Sequence, residues 1–520
     1  MASRFPSTQR RPKFNALITL LSLRNGRQLE PELDSPSISD HSPTMGFSNT
    51  IFQRPNLRSN SSSTSNHLKE RFLDRLAEVV SNEKGSKHVA CTIMKEYENR
   101  VEVYASRNEG FREKDRTFCE KFSAQMSVLA VNQHTAGERG AALWTLLLEY
   151  YLPRLEYYDK ELLKLNLPDF CCISSSTHDS EDLKESLDPF LDVMRQPSSL
   201  KRFNHLCCLA LQLRLIPSAR KWIKDHLEND TQLWKLIGFF ARLRRAHRTF
   251  LEIVQTLPAF HSLEIILIPK GGKVEPRTQD FLSLATTLDF IHQPLSSITV
   301  RRYISPSYSI PRAQRMFDQR QTECLRVHAE VQLIQHLLQA HIPIDEIVQY
   351  MGCSKRSCFM CKNFLDILSG LRTRGCHGKL YNRWSIPEIQ GIEEDTKETL
   401  ERAVIRIQDI LVQEIKKPLR AIDAQFESSA GTTAVSSSRA SVTSGSPGSP
   451  SESPIEDSED NDTREEIAHQ EDLYEWEATP VASHQCLPVL ANSGGTHNLI
   501  AGTGTHWLHH MGIADNLLFR

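Results

Sequence analysis

The stretch from His328 to Cys361 constrains the fold more than any other part of this 520-residue chain. It opens with His328-Ala329-Glu330 and continues as VQLIQHLLQAHI, whose apolar residues recur at helical spacing. A short strand-like piece, Ile347 to Met351, comes next. The stretch closes on Cys358-Phe359-Met360-Cys361, which leads into NFLDILSGL, a second helical pattern. A helix and a strand thus fill the 27 residues between Glu330 and Cys358, which is the alternation of an α/β layer. Residue types that bind metals stand at the start of each helix.

Zinc takes four ligands in a near-tetrahedral arrangement, and a catalytic zinc keeps one position for water. His328, Cys358 and Cys361 supply three. Cys358 and Cys361 are three apart, so one helical turn puts both sulfurs on the same side. A helix beginning near Cys358 also offers free N–H groups and a positive dipole end, which favour thiolates. Glu330 need not be a ligand. Beside the metal it can take a proton from the attacking water and hand it to a ring nitrogen and a leaving amine. His-x-Glu followed by Cys-x-x-Cys in this order is the pattern of zinc-dependent nucleobase deamination. Two other readings stay open. One is a four-ligand zinc knuckle of Cys358, Cys361, Cys376 and His377, which leaves His-x-Glu unexplained. The other has no metal, only two core thiols and a surface histidine.

At this length one ordinary core does not suffice, and two or three segments are expected. Residues 1–66 are rich in Ser, Pro, Asn and Arg and read as a disordered basic tail. The first 28 residues carry Arg4, Arg10, Arg11, Lys13, Arg24 and Arg27 with no acid, which a mitochondrial presequence also shows. From His67 the periodicity is helical, and two strands follow, roughly Val89–Met94 and Arg100–Ala105. Residues 67–108 therefore read as a helix plus hairpin. Residues 109–320 are mostly helical, with SLEIILIP (Ser262–Pro269) as a strand inside them. Residues 321–420 hold the motif stretch and a long amphipathic helix over Glu394–Lys417. Residues 421–520 are a Ser-rich linker and a tail in which Glu452–Glu477 holds twelve acids and one base.

The stretch VHAEVQLIQHLL…YMGCSKRSCFMCKNFL…HGKLYNRWSIP resembles the OTT_1508-like family of the cytidine deaminase-like superfamily, specifically over Val327 to Pro387. The resemblance implies an α/β/α sandwich, here with a large helical insertion and disordered N- and C-terminal tails. It implies a zinc ion (Zn2+) held by His328, Cys358 and Cys361, with Glu330 as proton shuttle. The helix and hairpin at 67–108 are compatible with the superfamily's opening α-β-β. Many members have proline before the first cysteine of the pair. Here it is Ser357, and serine can cap a helix in its place.

For substrate contacts the resemblance points to Asn108, at the end of the second strand, although a turn asparagine there serves equally. His377, Lys379 and Trp384 follow the second motif helix and can line a pocket; Trp384 suits a core as well as a stacking platform. Seven Lys/Arg against one acid lie between Cys353 and Arg383. That excess suits a phosphate-bearing substrate, a nucleotide or a single-stranded nucleic acid, or else is an ordinary charged surface. The formal net charge of −2 carries no global argument. The expected function is hydrolytic deamination of a nucleobase in a nucleotide or nucleic acid. The alternative is an inactive deaminase-like scaffold with structural zinc, binding a protein partner through the helical insertion or a nucleic acid. Twelve cysteines without a secretory signal read as buried thiols and a metal site. No apolar run reaches membrane-spanning length, so no membrane partner is expected. The expected location is intracellular, cytoplasmic or nuclear, with mitochondrial as the less favoured option.

Overall fold

A computed structural model of the chain describes residues 3–5, 11–30, 63–131, 136–165, 179–227, 230–271, 273–274, 280–386 and 388–420. In chain order the elements are β1 (Ser3–Phe5), α1 (Arg11–Ser22), α2 (Ser63–Val80), β2 (Ala90–Glu96) and β3 (Val101–Arg107). Six helices follow: α3 (Glu113–Val131), α4 (Ala136–Leu163), α5 (Asp179–Arg195), α6 (Leu200–Leu215), α7 (Ala219–His226) and α8 (Asp230–Thr256). Next come β4 (Leu263–Leu267), β5 (Lys273–Val274), α9 (Leu284–Asp289), α10 (Ser297–Tyr303), α11 (Ile310–Gln321) and β6 (Leu325–Arg326). The last elements are α12 (Ala329–Gln339), β7 (Gly352–Cys353), α13 (Phe359–Leu368), β8 (Ile389–Ile392) and α14 (Glu394–Lys416).

The central sheet has the order β4-β3-β2-β7. β2 and β3 form an antiparallel hairpin from Ala90↔Arg107 to Glu96↔Val101. β4 lies parallel to β3, from Val101↔Leu263 to Ala105↔Leu267. A parallel neighbour requires a long crossover, and the helices α3 to α8 provide it. β7 closes the other edge antiparallel to β2, with Cys91 opposite Cys353. This pairing joins the hairpin to the motif stretch across more than two hundred residues of chain. The pairing is short because the expected strand over Ile347–Met351 makes only isolated bridges, Lys95↔Ile347 and Tyr350↔Arg372. Gly352 lets β7 run against α2, since a Cβ there would collide with the backbone of Leu73.

Side chains alternate across a strand, and the alternation divides the interior into two cores. Ala90 and Met94 of β2, with Val101 and Val103 of β3, join the core built with α2, α3 and α8. Cys91 and Ile93, with Tyr104, face the opposite core built with α1, α12, α13 and α14. Helices therefore cover both faces of the sheet, an α/β/α sandwich. The helical region after β3 shares the first core rather than forming one of its own. Its paired tyrosines are packing groups: Tyr151 and Tyr158 are fully buried, and Tyr150 stacks on Phe118 while donating to Asp115 at 2.7 Å.

The N-terminal segment departs from expectation. Residues 1–66 read as a disordered tail, yet Ser3–Phe5 pairs antiparallel with β8, and Arg11–Ser22 is a helix buried against α9, α11 and α14. The apolar run from Ala16 to Leu23 is short, but Phe14, Leu17, Ile18, Leu20 and Leu21 are all enclosed. Its basic residues also have partners inside the fold. Arg11 pairs with Glu388 at 2.6 Å, and Arg24 donates to the carbonyls of Glu414 and Lys417, each at 2.5 Å. The segment is a fold element. Most of the Ser-rich stretch up to residue 62, and the linker and acidic tail over 421–520, lie outside the described residues. No described helix is long and apolar enough to cross a membrane.

Candidate metal centre

His328 is the N-cap of α12 and Cys358 is the N-cap of α13. Both helices begin at the same place, where their first N–H groups have no intrahelical partner. The Cys358 sulfur accepts the N–H of Cys361 at 3.4 Å. α12 lies on β2 and β3 and packs beside α13, so sheet and helix pair together set the distance between the two helix starts. The end of β3 is tied in as well. Asn108 Oδ1 accepts the N–H of Ala329 at 2.8 Å, and Ser106 Oγ donates to the Ala329 carbonyl at 2.7 Å.

His328 Nδ1 lies 3.6 Å from Cys358 Sγ and 3.4 Å from Cys361 Sγ. Bonds of ~2.3 Å to sulfur and ~2.0–2.1 Å to nitrogen at a tetrahedral angle separate such donors by about 3.5 Å. One imidazole and two thiols at this spacing fit zinc in kind and in geometry, and the three residues would hold it. Cys376 and His377 fall outside this group among the described residues. Cys376 Sγ accepts the N–H of Gly378 at 3.3 Å, and His377 Nδ1 accepts that of Lys379 at 3.0 Å. The zinc-knuckle set is therefore not assembled.

The electrostatics divide the cysteine pair. Burial opposes a thiolate at Cys358, but the Cys361 thiol and the His328 ring stabilise it and hold Cys358 well below the usual thiol range. Burial and the Cys358 sulfur together push Cys361 well above that range. Glu330, in the first turn of α12, is buried and hydrogen-bonded with Cys361. Burial pushes its carboxyl up, while the facing His328 ring acts the other way. A carboxyl raised toward neutrality is suited to moving a proton.

The residues picked as substrate contacts have different fates. Trp384 is fully buried, between Phe14 (centroids 6.0 Å apart) and Phe364 (5.9 Å). It is a core residue and no stacking platform for a base. Its indole N–H donates to Cys361 Sγ at 3.3 Å, so it supports a donor residue from behind. His377 is buried, and its carbonyl accepts from the Gln28 side chain at 2.8 Å. Asn108 spends its side chain on Ala329 and on the Ser86 carbonyl, 2.8 Å away. Lys379 is half-buried, its ammonium 5.6 Å from the Tyr381 ring centre, and Tyr381 stands edge-on to His328 at 5.5 Å. Tyr381 thus links the partly exposed His328 to Lys379. Tyr381 carries no spacing signal of its own and was not singled out from the sequence.

Part of the basic surround is engaged in ion pairs within the chain. Of the seven cations between Cys353 and Arg383, Lys362 pairs with Asp366, Arg372 with Glu70, Arg374 with Glu78 and Arg383 with Glu323. A further group was not singled out from the sequence. Cys91, Cys353 and Glu330 have donor atoms within 4.8 Å of one another.

Searches among curated proteins and among solved structures return no significant match. The stretch that carries the three donors and Glu330 is similar to the OTT_1508-like deaminases, whose family model matches residues 327–388.

Proposed function

We propose that this chain is a zinc-dependent hydrolytic deaminase acting on a nucleobase in a nucleotide or nucleic acid. The observation that carries the reading is the meeting of His328, Cys358 and Cys361 at zinc spacing beside the buried carboxyl of Glu330. A structural zinc needs no such carboxyl. Zinc at this site would supply Lewis acidity, which brings the pKa of a water from ~15.7 to about 7. Glu330 takes the proton from the attacking water and passes protons to the ring nitrogen and the departing amine. The exocyclic amine leaves as ammonia and a carbonyl replaces it. This reading assigns substrate contacts to Tyr381, edge-on to the His328 ring, and to Lys379 beside it.

The runner-up is an inactive scaffold with structural zinc, in which the helical layer α3–α8 binds a protein partner. It is favoured by the ion pairs that engage four of the seven local cations, which leave less charge for a phosphate.

One experiment separates the two. Ammonia release is assayed over free nucleosides, nucleotides and single strands, with zinc per chain measured on the same preparations. The deaminase reading expects about one zinc per chain and a substrate that releases ammonia. Glu330→Ala should keep the zinc and lose the activity by about 10²-fold or more. Activity surviving in Glu330→Ala removes the proton shuttle, and zinc without activity on any substrate leaves the scaffold.

A further inference from the structure

Behind Glu330 the sheet presents two thiols. Cys91 of β2 and Cys353 of β7 are opposite each other in the antiparallel pair. The neighbouring pair, Ala90 and Ser354, takes the ladder hydrogen bond: Ser354 N–H donates to the Ala90 carbonyl at 2.9 Å. Cys91 and Cys353 are therefore the pair without ladder bonds, where facing side chains come closest. Their sulfurs are 3.5 Å apart, and both residues are fully buried. Both point to the face covered by α12, and from that helix Glu330 brings its carboxylate to them.

We propose that Cys91, Cys353 and Glu330 form a second cation site, selective for a thiophilic divalent ion such as zinc or cadmium, whose filling inhibits the enzyme. Two sulfurs on one tetrahedral zinc lie about 3.8 Å apart, so the pair needs a movement of only a few tenths of an ångström. Two thiolates and one carboxylate are a donor set for zinc-like ions. Magnesium and calcium demand six or more oxygens and are excluded. Binding releases the two thiol protons to solvent. Burial and the Cys353 thiol both push the Cys91 thiol up. Glu330 cannot ligate an ion here and carry protons there. This second ion would thus stop turnover without displacing the first, and that consequence rests on the shuttle role proposed above.

The test uses the full-length protein carrying one zinc, under a phosphine reductant, titrated with cadmium. Metal per chain, thiolate-to-cadmium ultraviolet absorption and ammonia release are followed together. Wild type should take up one further equivalent, show the new absorption and lose activity by about 10²-fold. Cys91→Ala and Cys353→Ser should each keep the first zinc, refuse the second ion and retain activity in excess metal. A wild type that stops at one equivalent overturns the site, and so does a variant that still takes two or one that loses both. A second equivalent bound with ammonia release unchanged overturns the inhibition. If wild type with one zinc deaminates nothing, the functional reading fails, while stoichiometry and absorption still decide the site.

Discussion

The side-chain oxygen of Asn108 accepts a hydrogen bond from the backbone N–H of Ala329, 2.8 Å away and 221 residues later in the chain. That N–H belongs to the first turn of α12, between His328 and Glu330. Asn108 therefore caps the motif helix from the end of β3 and satisfies a donor that has no partner within the helix.

Asn108→Ala should cost about 1 kcal/mol of stability, the usual value for a lost cap. Asn108→Asp keeps the acceptor and should restore most of it. Urea unfolding of the three proteins checks this. Unchanged stability with a raised KM would make Asn108 a substrate contact instead.

Trp384→Phe should preserve the packing between Phe14 and Phe364 while deleting the indole N–H that donates to Cys361 Sγ. Loss of such a supporting hydrogen bond typically lowers metal affinity by about 10–100-fold. Competition with a zinc chelator reads this directly, alongside the thiolate–metal absorption band of the cobalt-substituted protein. Equal affinity in the two proteins would reduce Trp384 to packing alone.

Glu78 ties α2 to the loop after α13. Its carboxylate meets Arg75 at 2.5 Å, Arg374 at 2.7 Å and Arg242 at 3.7 Å. Burial alone would raise its pKa, but the three guanidiniums outweigh burial and lower it from 4.5 to about 2. A depressed folded-state pKa contributes stability that is complete above the unfolded value of 4.5 and is lost as pH falls toward about 2. At 1.36 kcal/mol per unit this amounts to roughly 3 kcal/mol. Denaturant midpoints between pH 6 and pH 2 should therefore fall more steeply for wild type than for Glu78→Gln. Parallel curves would show that the ion cluster contributes nothing to acid sensitivity.

Local signals carried much of this molecule. The helical period marked α2, α12, α13 and α14, and alternation marked β2 and β3, because each of those segments shows one apolar face to one core. His328, Glu330, Cys358 and Cys361 were legible for the same reason, since their spacing at two helix starts is itself a local pattern. The helix at Arg11–Ser22 was hidden. Its apolar run is brief and set among arginines, and only α9, α11 and α14 supply what encloses it. Trp384 was ambiguous because composition does not say which side of a wall a ring occupies. The ion pairs of the basic stretch were not legible, because Glu70, Glu78 and Glu323 lie 302, 296 and 60 residues from the cations they meet.

By itself the sequence determined the chemistry available at the head of α12 and α13, because helix starts and three-residue spacings are local properties of the chain. Only the tertiary structure decided that the hairpin joins the motif stretch through Cys91 and Cys353, that Asn108 caps α12, and that Trp384 faces Cys361 from within the core. Those contacts join residues tens to hundreds apart, and strand register and helix packing, which no local pattern encodes, bring them together.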